Sequence, residues 1–143
     1  MTISKPIDLG KFSSLSALSN DFKVEKNRQK WNDFAHEYSD SIQTFTVQAS
    51  VVLYTMTSSN NADRILEVAC GGGLPSCVFM QNYMKRGASY FCCDFSENMI
   101  AETRARINSS YIKRDPAFEH IETTFEKNCS VESAISPFNE CEK

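Results

Sequence analysis

The sequence has no long hydrophobic run, since its longest unbroken apolar stretches, such as residues 51–54, are four residues long. A helix that crosses a membrane needs roughly 20 apolar residues. The first twenty residues are polar and serine-rich, without the hydrophobic centre that a secretory signal requires. We therefore expect no membrane span, and the expected location is cytoplasmic.

An excess of positive charge is also missing. The chain carries 15 Lys and Arg against 18 Asp and Glu, a formal net charge of -3, so its overall field does not attract a phosphate backbone. Nucleic-acid binding is therefore not expected from the net charge. Hydrophobic residues make up 41% of the 143 residues, which is typical of a single globular domain.

Metal-binding and disulfide patterns are absent as well. The six cysteines include no CxxC pair and have no histidine at the spacing of zinc ligands. In a cytoplasmic protein we expect reduced, mostly buried thiols rather than three disulfides. The cysteines are Cys70, Cys77, Cys92, Cys93, Cys129 and Cys141. The sequence therefore predicts no metal site.

What the chain does contain begins with two helical patterns. Residues 1–22 lack periodicity and are interpreted as a flexible N-terminal arm, or at most a short helix that closes over another part of the chain, which leaves 23–143 as the domain. From about residue 24, apolar side chains at steps of three and four predict an amphipathic helix. Its stripe consists of Trp31, Phe34, Ala35 and Tyr38. A second stripe, within residues 42–53, predicts another helix, which the polar cluster at 58–61 ends.

The middle of the chain indicates a β-α-β-α unit. The apolar segment 64–69 predicts a buried strand that runs into three glycines, and Pro75 suits the first turn of the helix that follows. Segment 89–94 predicts a second strand, and Ser96 is a suitable N-cap for the next helix. Residues 120–127 alternate as expected of a third strand. The fold class is therefore α/β, with a Rossmann-like, doubly wound sheet and N-terminal helices.

One constellation carries the functional signal: Glu67, the glycines Gly71–Gly73, and Asp94. Glycines at a strand end let the backbone turn tightly against a ligand, and the amides of the next helix point at the same place. Asp94 closes the second strand, where a carboxylate can accept hydrogen bonds from both hydroxyls of a ribose. The sequence therefore predicts a nucleoside-containing cofactor above the strand ends.

Two phosphate-binding patterns fit these residues less well. The dinucleotide pattern G-x-G-x-x-G is only partly matched, because Ser76 stands where the third glycine belongs, and the P-loop pattern is absent. Glu67, four residues before Gly71, would repel a pyrophosphate but could help to hold an ammonium group. A cationic ligand is therefore favoured over an anionic one.

These segments resemble the class I S-adenosylmethionine-dependent methyltransferases, in particular the type 11 and type 25 methyltransferase domains. Their first motif, two hydrophobic residues followed by [DE]-x-G-x-G-x-G, is similar to Ile65–Gly73, with Ala69 in place of the first glycine. Their second motif, an acidic residue followed by a hydrophobic-Ser-x-x-Met stretch, is similar to Asp94–Met99. The two motifs also lie at the spacing that the family shows.

The resemblance implies a site for S-adenosyl-L-methionine. Its methionyl part would be lined by Glu67, Ala69, Gly71 and Gly73. Tyr38, on the first predicted helix, would cover the methionine end. Such an aromatic residue is often carried by the N-terminal helix of the family's domains.

The nucleoside part would be held by residues after the second and third strands. By resemblance, Asp94 would bind the ribose hydroxyls, and Phe95 and Met99 would flank the adenine. Either Asn128 or Glu132 would meet the adenine amine. Methyl transfer needs no protein nucleophile, because the sulfonium is already activated. The sequence shows no triad, and the catalytic residues stay unassigned.

The resemblance extends from about Lys30 to Phe138 but covers only the N-terminal half of the family's domain. We therefore expect a sheet truncated after about three strands, hence a fragment or a chain whose open sheet edge needs a protein partner. The resemblance implies a methyltransferase with a small-molecule acceptor. Two alternatives stay open: a catalytically silent, methyltransferase-like binding or partner module, and an NAD-dependent oxidoreductase fragment.

Overall fold

The computed structural model of the chain describes residues 10–110, 112, 115–116 and 120–125. Its helices are α1 (Gly10–Glu37), α2 (Gln43–Met56), α3 (Leu74–Asn82) and α4 (Glu97–Ser109), and its strands are β1 (Arg64–Val68), β2 (Ser89–Asp94) and β3 (Ile121–Phe125). A π-helical turn, the π segment (Tyr38–Ile42), joins α1 to α2, and a short 3-10 turn (Ser59–Asn61) follows α2. From β1 onward, strands and helices alternate, as in the α/β class.

The first helix begins earlier than the sequence pattern predicts. α1 starts at Gly10, within the arm predicted for residues 1–22, whereas the amphipathic stripe starts near residue 24. Extending an existing helix costs little per residue, so a polar stretch without proline can continue the helix upstream of the stripe. The helical backbone thus crosses the predicted boundary at residue 22, and the flexibility of the arm stays a prediction. Although α1 is 28 residues long, neither it nor any other helix in the described residues is apolar enough to cross a membrane.

The three strands form one parallel sheet in the order β1-β2-β3. β1 pairs with β2 with Arg64 opposite Ser89, and β2 pairs with β3 with Tyr90 opposite Ile121. The three predicted strands are therefore confirmed, although β1 is half-buried along its whole length rather than buried as predicted. Because the strands are parallel, their carboxyl ends and the loops that follow meet at one edge of the sheet, where ligands bind in α/β proteins.

The main core lies between the sheet and the helices α3 and α4. Alternate residues of β2, such as Tyr90 and Cys92, point into it. Other buried side chains of this core are Phe79, Met80, Ile100 and Ile107. The opposite face of the sheet holds a smaller cluster, which consists of Leu66, Val68, Phe91 and Cys93. β2 is thus buried on both faces, as a central parallel strand is expected to be.

The cysteines that the structure describes are buried, as predicted. No disulfide joins any two of Cys70, Cys77, Cys92 and Cys93. Burial raises the pKa of Cys77 to about 11, so this side chain is a thiol at neutral pH. Cys129 and Cys141 lie outside the described residues.

α4 begins with the N-cap that the sequence predicts. Ser96 Oγ accepts a hydrogen bond from Met99 N–H at 3.2 Å and donates one to Asn32 Oδ1 of α1 at 2.7 Å. The same Asn32 oxygen accepts a hydrogen bond from Asn98 N–H at 3.3 Å. The cap therefore fastens α1 to the first turn of α4.

Loss of this cap is expected to lower the stability of the chain. Ser96→Ala removes the hydrogen bonds to both helices, so the free energy of unfolding should fall by about 1–2 kcal/mol. Urea unfolding of the whole chain measures the change. Ser109→Ala is the matched control, because this exposed hydroxyl donates to Arg106 O of its own helix, and its change should stay below about 0.5 kcal/mol. Equal losses in the two variants would contradict the role given to the cap.

Candidate functional site

A pocket of about 240 Å³ lies at the carboxyl edge of the sheet. Its walls come from α1 and the π segment, from the turn after β1, and from the end of β2 and the start of α4. The lining residues are Trp31, Tyr38, Ala69, Gly71, Asp94, Phe95 and Met99. All of them except Trp31 belong to the cofactor site that the sequence predicts. The structure therefore brings most of the predicted residues to one place.

The other predicted site residues lie elsewhere. Gly73 is the N-cap of α3 and does not line the pocket. Glu67 does not line it either, and its carboxylate contacts side chains of α3 and β2. Asn128 and its alternative Glu132 lie outside the described residues.

Close packing explains two of the three glycines in the turn. A Cβ on Gly72 would lie 1.9 Å from Ser39 Oγ, because the π segment packs directly on this residue. A Cβ on Gly73 would lie 2.8 Å from the side chain of Thr103 and 2.9 Å from its Cα, and the φ of Gly73 is +75°. The turn therefore needs glycine where the π segment and α4 pack against it.

The first peptide groups of the turn are held by side chains from β2 and α4. Gly71 N–H donates to Asp94 Oδ2 at 2.9 Å, and Gly71 O accepts from Thr103 Oγ1 at 2.7 Å. Gly73 N–H donates to Cys70 O at 3.3 Å, which closes the turn on itself. These bonds fix the direction of the turn as it leaves β1.

The later peptide groups of the turn are held by two further side chains. Gly72 O accepts from Arg106 Nε at 3.0 Å, and Leu74 N–H donates to Gln43 Oε1 at 3.2 Å. Gln43 is only 1% exposed, although it starts α2 far from the turn in sequence. The sequence does not point to these two residues, because a polar side chain on a helix normally faces solvent. Only the packing of the helices shows that they support the site.

Asp94 closes β2 and is only 5% exposed. Its Oδ1 accepts a hydrogen bond from Ser96 N–H at 2.9 Å, and its Oδ2 accepts the one from Gly71. Burial raises the pKa of Asp94 above its ordinary 3.8, and the backbone hydrogen bonds oppose this rise. An ionised carboxylate has about four lone-pair positions. The backbone amides of Ser96, Gly71 and Phe95 donate to this carboxylate, so about one position stays available to a ligand in the pocket that Asp94 lines.

Two aromatic side chains, Trp31 and Tyr38, form the aromatic wall of the pocket. Their ring centroids are 5.7 Å apart in an edge-to-face arrangement, and Phe34 packs about 6 Å from both rings. Trp31 is 40% exposed, so one side of the wall is open to solvent. The stripe that predicts a core-facing helix therefore also supplies part of the pocket.

Ala69 has a left-handed backbone conformation, with a φ of +61°. In the methyltransferase motif that this segment resembles, the same position is a glycine. For an L-residue with a Cβ, this conformation costs roughly 1–2 kcal/mol. The turn therefore carries backbone strain at a residue that lines the pocket.

Glu67 is directed at the helix–sheet interface rather than at the pocket. Its carboxylate accepts hydrogen bonds from Ser76 Oγ of α3 and from Tyr90 OH of β2. Burial raises the pKa of Glu67 above its ordinary 4.5, and burial together with the charge of Glu67 raises the pKa of the Tyr90 hydroxyl. In this position Glu67 ties α3 to the sheet just below the turn.

A second, polar groove of about 360 Å³ lies between α1 and α4. At its rim, His36 Nδ1 lies 3.3 Å from Glu102 Oε1, and His36 Nε2 lies 3.4 Å from Asp40 Oδ2. The side chain of His36 is 80% exposed, so solvent screens these contacts. Within the described ranges, no group of three or more His, Cys, Asp and Glu side chains is placed to hold a metal ion.

Relief of the strain at Ala69 is expected to stabilise the chain. Ala69→Gly removes the Cβ but adds entropy to the unfolded state, so the free energy of unfolding should rise by up to about 1 kcal/mol. Ala105→Gly, at an exposed position inside α4, is the matched control and should lower it by about 1 kcal/mol. Urea unfolding measures both changes. A loss at Ala69 as large as the loss at Ala105 would show that the left-handed residue is not strained.

Ionisation of Glu67 is expected to make stability depend on pH. Because the folded chain holds the proton of Glu67 more tightly than the unfolded chain, the contribution of this group to stability falls as the pH rises from 4.5 towards the raised pKa. Glu67→Gln removes that fall. The difference in Tm between variant and wild type should therefore grow more positive as the pH rises above 4.5, by about 4 °C per kcal/mol.

The control for this prediction is Glu37→Gln, which removes the same charge from an exposed position at the end of α1. Thermal unfolding of both variants is followed in steps of pH. The Tm difference from the wild type should grow with pH for Glu67→Gln and stay nearly constant for Glu37→Gln. A Glu67→Gln difference that stays constant or becomes more negative would contradict the burial of an ionisable carboxyl at this position.

No family model matches the chain, and comparison with curated proteins and with solved structures finds no match either. The function of the chain is therefore inferred from the residues and the geometry of its pocket.

Proposed function

We propose that the chain is the cofactor-binding part of an S-adenosylmethionine-dependent methyltransferase, with a Rossmann-like, doubly wound sheet and a small molecule as methyl acceptor. One observation supports this most: a single pocket holds Asp94 and Gly71 beside the apolar side chains of Phe95 and Met99. This combination suits a nucleoside, because the ribose offers two hydroxyls to a carboxylate and the base offers apolar faces to apolar side chains. The position of the pocket at the carboxyl edge of a parallel sheet agrees with it.

Asp94 is the residue proposed to hold the ribose. Its backbone hydrogen bonds fix the carboxylate and leave about one acceptor position free. A carboxylate at this place in an α/β fold can accept a hydrogen bond from a ribose hydroxyl. Hydrogen bonds to a charged group contribute about 1.5–3 kcal/mol each when they are buried. Asp94 should therefore supply a large share of the affinity.

The charge of the pocket favours a cationic cofactor. Among the residues that the structure describes, its lining includes one carboxylate and neither lysine nor arginine. The aromatic wall adds the rings of Trp31 and Tyr38, and a ring face that meets a cation attracts it by about 0.5–2 kcal/mol. The sulfonium of S-adenosylmethionine is such a cation, whereas a pyrophosphate is an anion.

The hydrogen bonds of the turn also weigh against a dinucleotide. A pyrophosphate binds to free amides at the start of a helix. In this chain the amides of Gly71, Gly73 and Leu74 already donate to Asp94, Cys70 and Gln43, respectively. An NAD-dependent oxidoreductase fragment is therefore the less well supported alternative.

In the proposed reaction this chain binds and orients, and bound S-adenosylmethionine supplies a methyl group that is already activated for transfer. Asp94 would fix the ribose, and Phe95 and Met99 would hold the base. The aromatic wall would keep water from the methionine end. In-line displacement depends on alignment rather than on a protein nucleophile, so no catalytic residue is assigned.

A second candidate function is a catalytically silent, methyltransferase-like module that binds another protein. The observation that favours it is a row of exposed apolar side chains at helical spacing, which begins at the last residue of the π segment and continues along α2. The row consists of Ile42, Phe45, Val52, Leu53 and Met56, with Phe45 78% and Met56 76% exposed. Exposed apolar patches of this kind often mark interaction surfaces. Cofactor binding without methyl transfer to any acceptor would favour this alternative.

Calorimetric titration of the chain with S-adenosylhomocysteine and with NAD tests the proposal. We expect S-adenosylhomocysteine to bind and NAD not to bind. Asp94→Ala should weaken the binding at least tenfold, or by about 1.4 kcal/mol or more. Asp63→Ala removes an exposed aspartate just before β1, and this control should bind like the wild type.

Asp94 also accepts the hydrogen bond from Gly71 N–H, so Asp94→Ala changes the turn as well as the binding site. A second variant separates an effect on binding from an effect on folding. Trp31→Ala alters a partly exposed residue of the wall and should weaken binding of S-adenosylhomocysteine several-fold, and urea unfolding of this variant shows whether it is folded in the titration. Binding of NAD alone, no binding of S-adenosylhomocysteine by the wild type, or full affinity in Asp94→Ala would each refute the proposed cofactor.

A further inference from the structure

Arg106 on α4 connects two parts of the pocket that are far apart in the sequence. Its Nε donates to Gly72 O at 3.0 Å, and its Nη2 donates to Ser39 O at 3.2 Å. The side chain is half-buried, and no carboxylate in the described part of the chain forms an ion pair with it. The guanidinium is therefore directed at two backbone carbonyls, one in the glycine turn and one in the π segment.

The π segment makes the second of these carbonyls available. Gln43 N–H donates to Tyr38 O, five residues back. In a regular α-helix it would donate to Ser39 O, four residues back. Ser39 O accepts from Arg106 instead. Single π-helical turns within α-helices are frequent at functional sites, and here the turn creates the acceptor that Arg106 uses.

Each of the two carbonyls adjoins a residue of the pocket. Ser39 follows Tyr38 of the aromatic wall, and Gly72 follows Gly71 of the turn. Ser39 also packs so closely on Gly72 that no Cβ would fit between them. A shift of the π segment relative to the turn would break the bonds of Arg106 and change the width of the pocket.

We propose that Arg106 is a positioning residue of the cofactor site, which holds the aromatic wall against the glycine turn before the ligand binds. This inference rests on the proposed function, since the ligand is the nucleoside cofactor proposed above. Arg106 is not among the lining residues, so it acts through Tyr38 and Gly71. A wall that is already fixed loses less freedom on binding, which raises the affinity.

Arg104 offers a matched control on the same helix. Its Nε donates to Thr123 Oγ1 at 2.9 Å, and its Nη2 donates to Thr123 O at 2.8 Å. Like Arg106, it makes two side-chain hydrogen bonds to a neighbouring element. These bonds tie α4 to β3 and do not reach the pocket.

The test compares Arg106→Ala, Arg104→Ala and Arg106→Lys in the full chain. By calorimetry, Arg106→Ala should bind S-adenosylhomocysteine about tenfold more weakly than the wild type, and Arg104→Ala less than twofold more weakly. Arg106→Lys should restore part of the affinity, because its ammonium can still donate to a carbonyl. Urea unfolding of the two alanine variants shows whether their losses of stability are alike.

The second readout is acrylamide quenching of Trp31, the one tryptophan of the chain, measured without ligand. Arg106→Ala should make Trp31 more accessible to the quencher, and Arg104→Ala should leave it unchanged. Unchanged quenching in Arg106→Ala, or an affinity loss in Arg104→Ala equal to that in Arg106→Ala, would overturn the inference. If the wild type binds no S-adenosylhomocysteine, the proposed function fails, and the quenching result decides on the role of Arg106 by itself.

Discussion

The hydrogen bond from Gly71 N–H to Asp94 Oδ2 is the contact on which the site depends, because it joins the end of β1 to the end of β2. Cys70 N–H donates to Cys93 O just before it and continues the pairing of the two strands. The other oxygen of Asp94 accepts from Ser96 N–H and starts the turn into α4. One buried carboxylate thus sets the course of both loops that line the pocket.

Side chains of α4 hold the same turn through its carbonyl groups. Thr103 and Arg106, one turn apart on α4, hold the carbonyls of Gly71 and Gly72. With its peptide groups engaged on several sides, the turn has little freedom to relax. Strained residues persist where the surroundings fix the backbone in this way, which accounts for a left-handed Ala69 at the rim of the pocket.

Much of this arrangement follows from local sequence patterns. Strand periodicity, the serine N-cap and the position of Asp94 each depend on residues close in sequence, so they could be predicted. The direction of Glu67 could not, because a motif does not tell which face of a strand meets a helix. Arg106 and Gln43 are placed by contacts between distant elements. The π segment has no sequence signature at all.

The π segment also controls the phase of the long first helix. A π turn holds one residue more than an α-helical turn does, and one residue corresponds to about 100° of rotation around a helix axis. Without the extra residue, the face of α1 that carries Trp31 would turn away from the sheet edge. The side of a 28-residue helix that meets the pocket therefore depends on the number of residues in one turn. A single insertion or deletion in the π segment would therefore change the lining of the pocket more than most substitutions along α1 would.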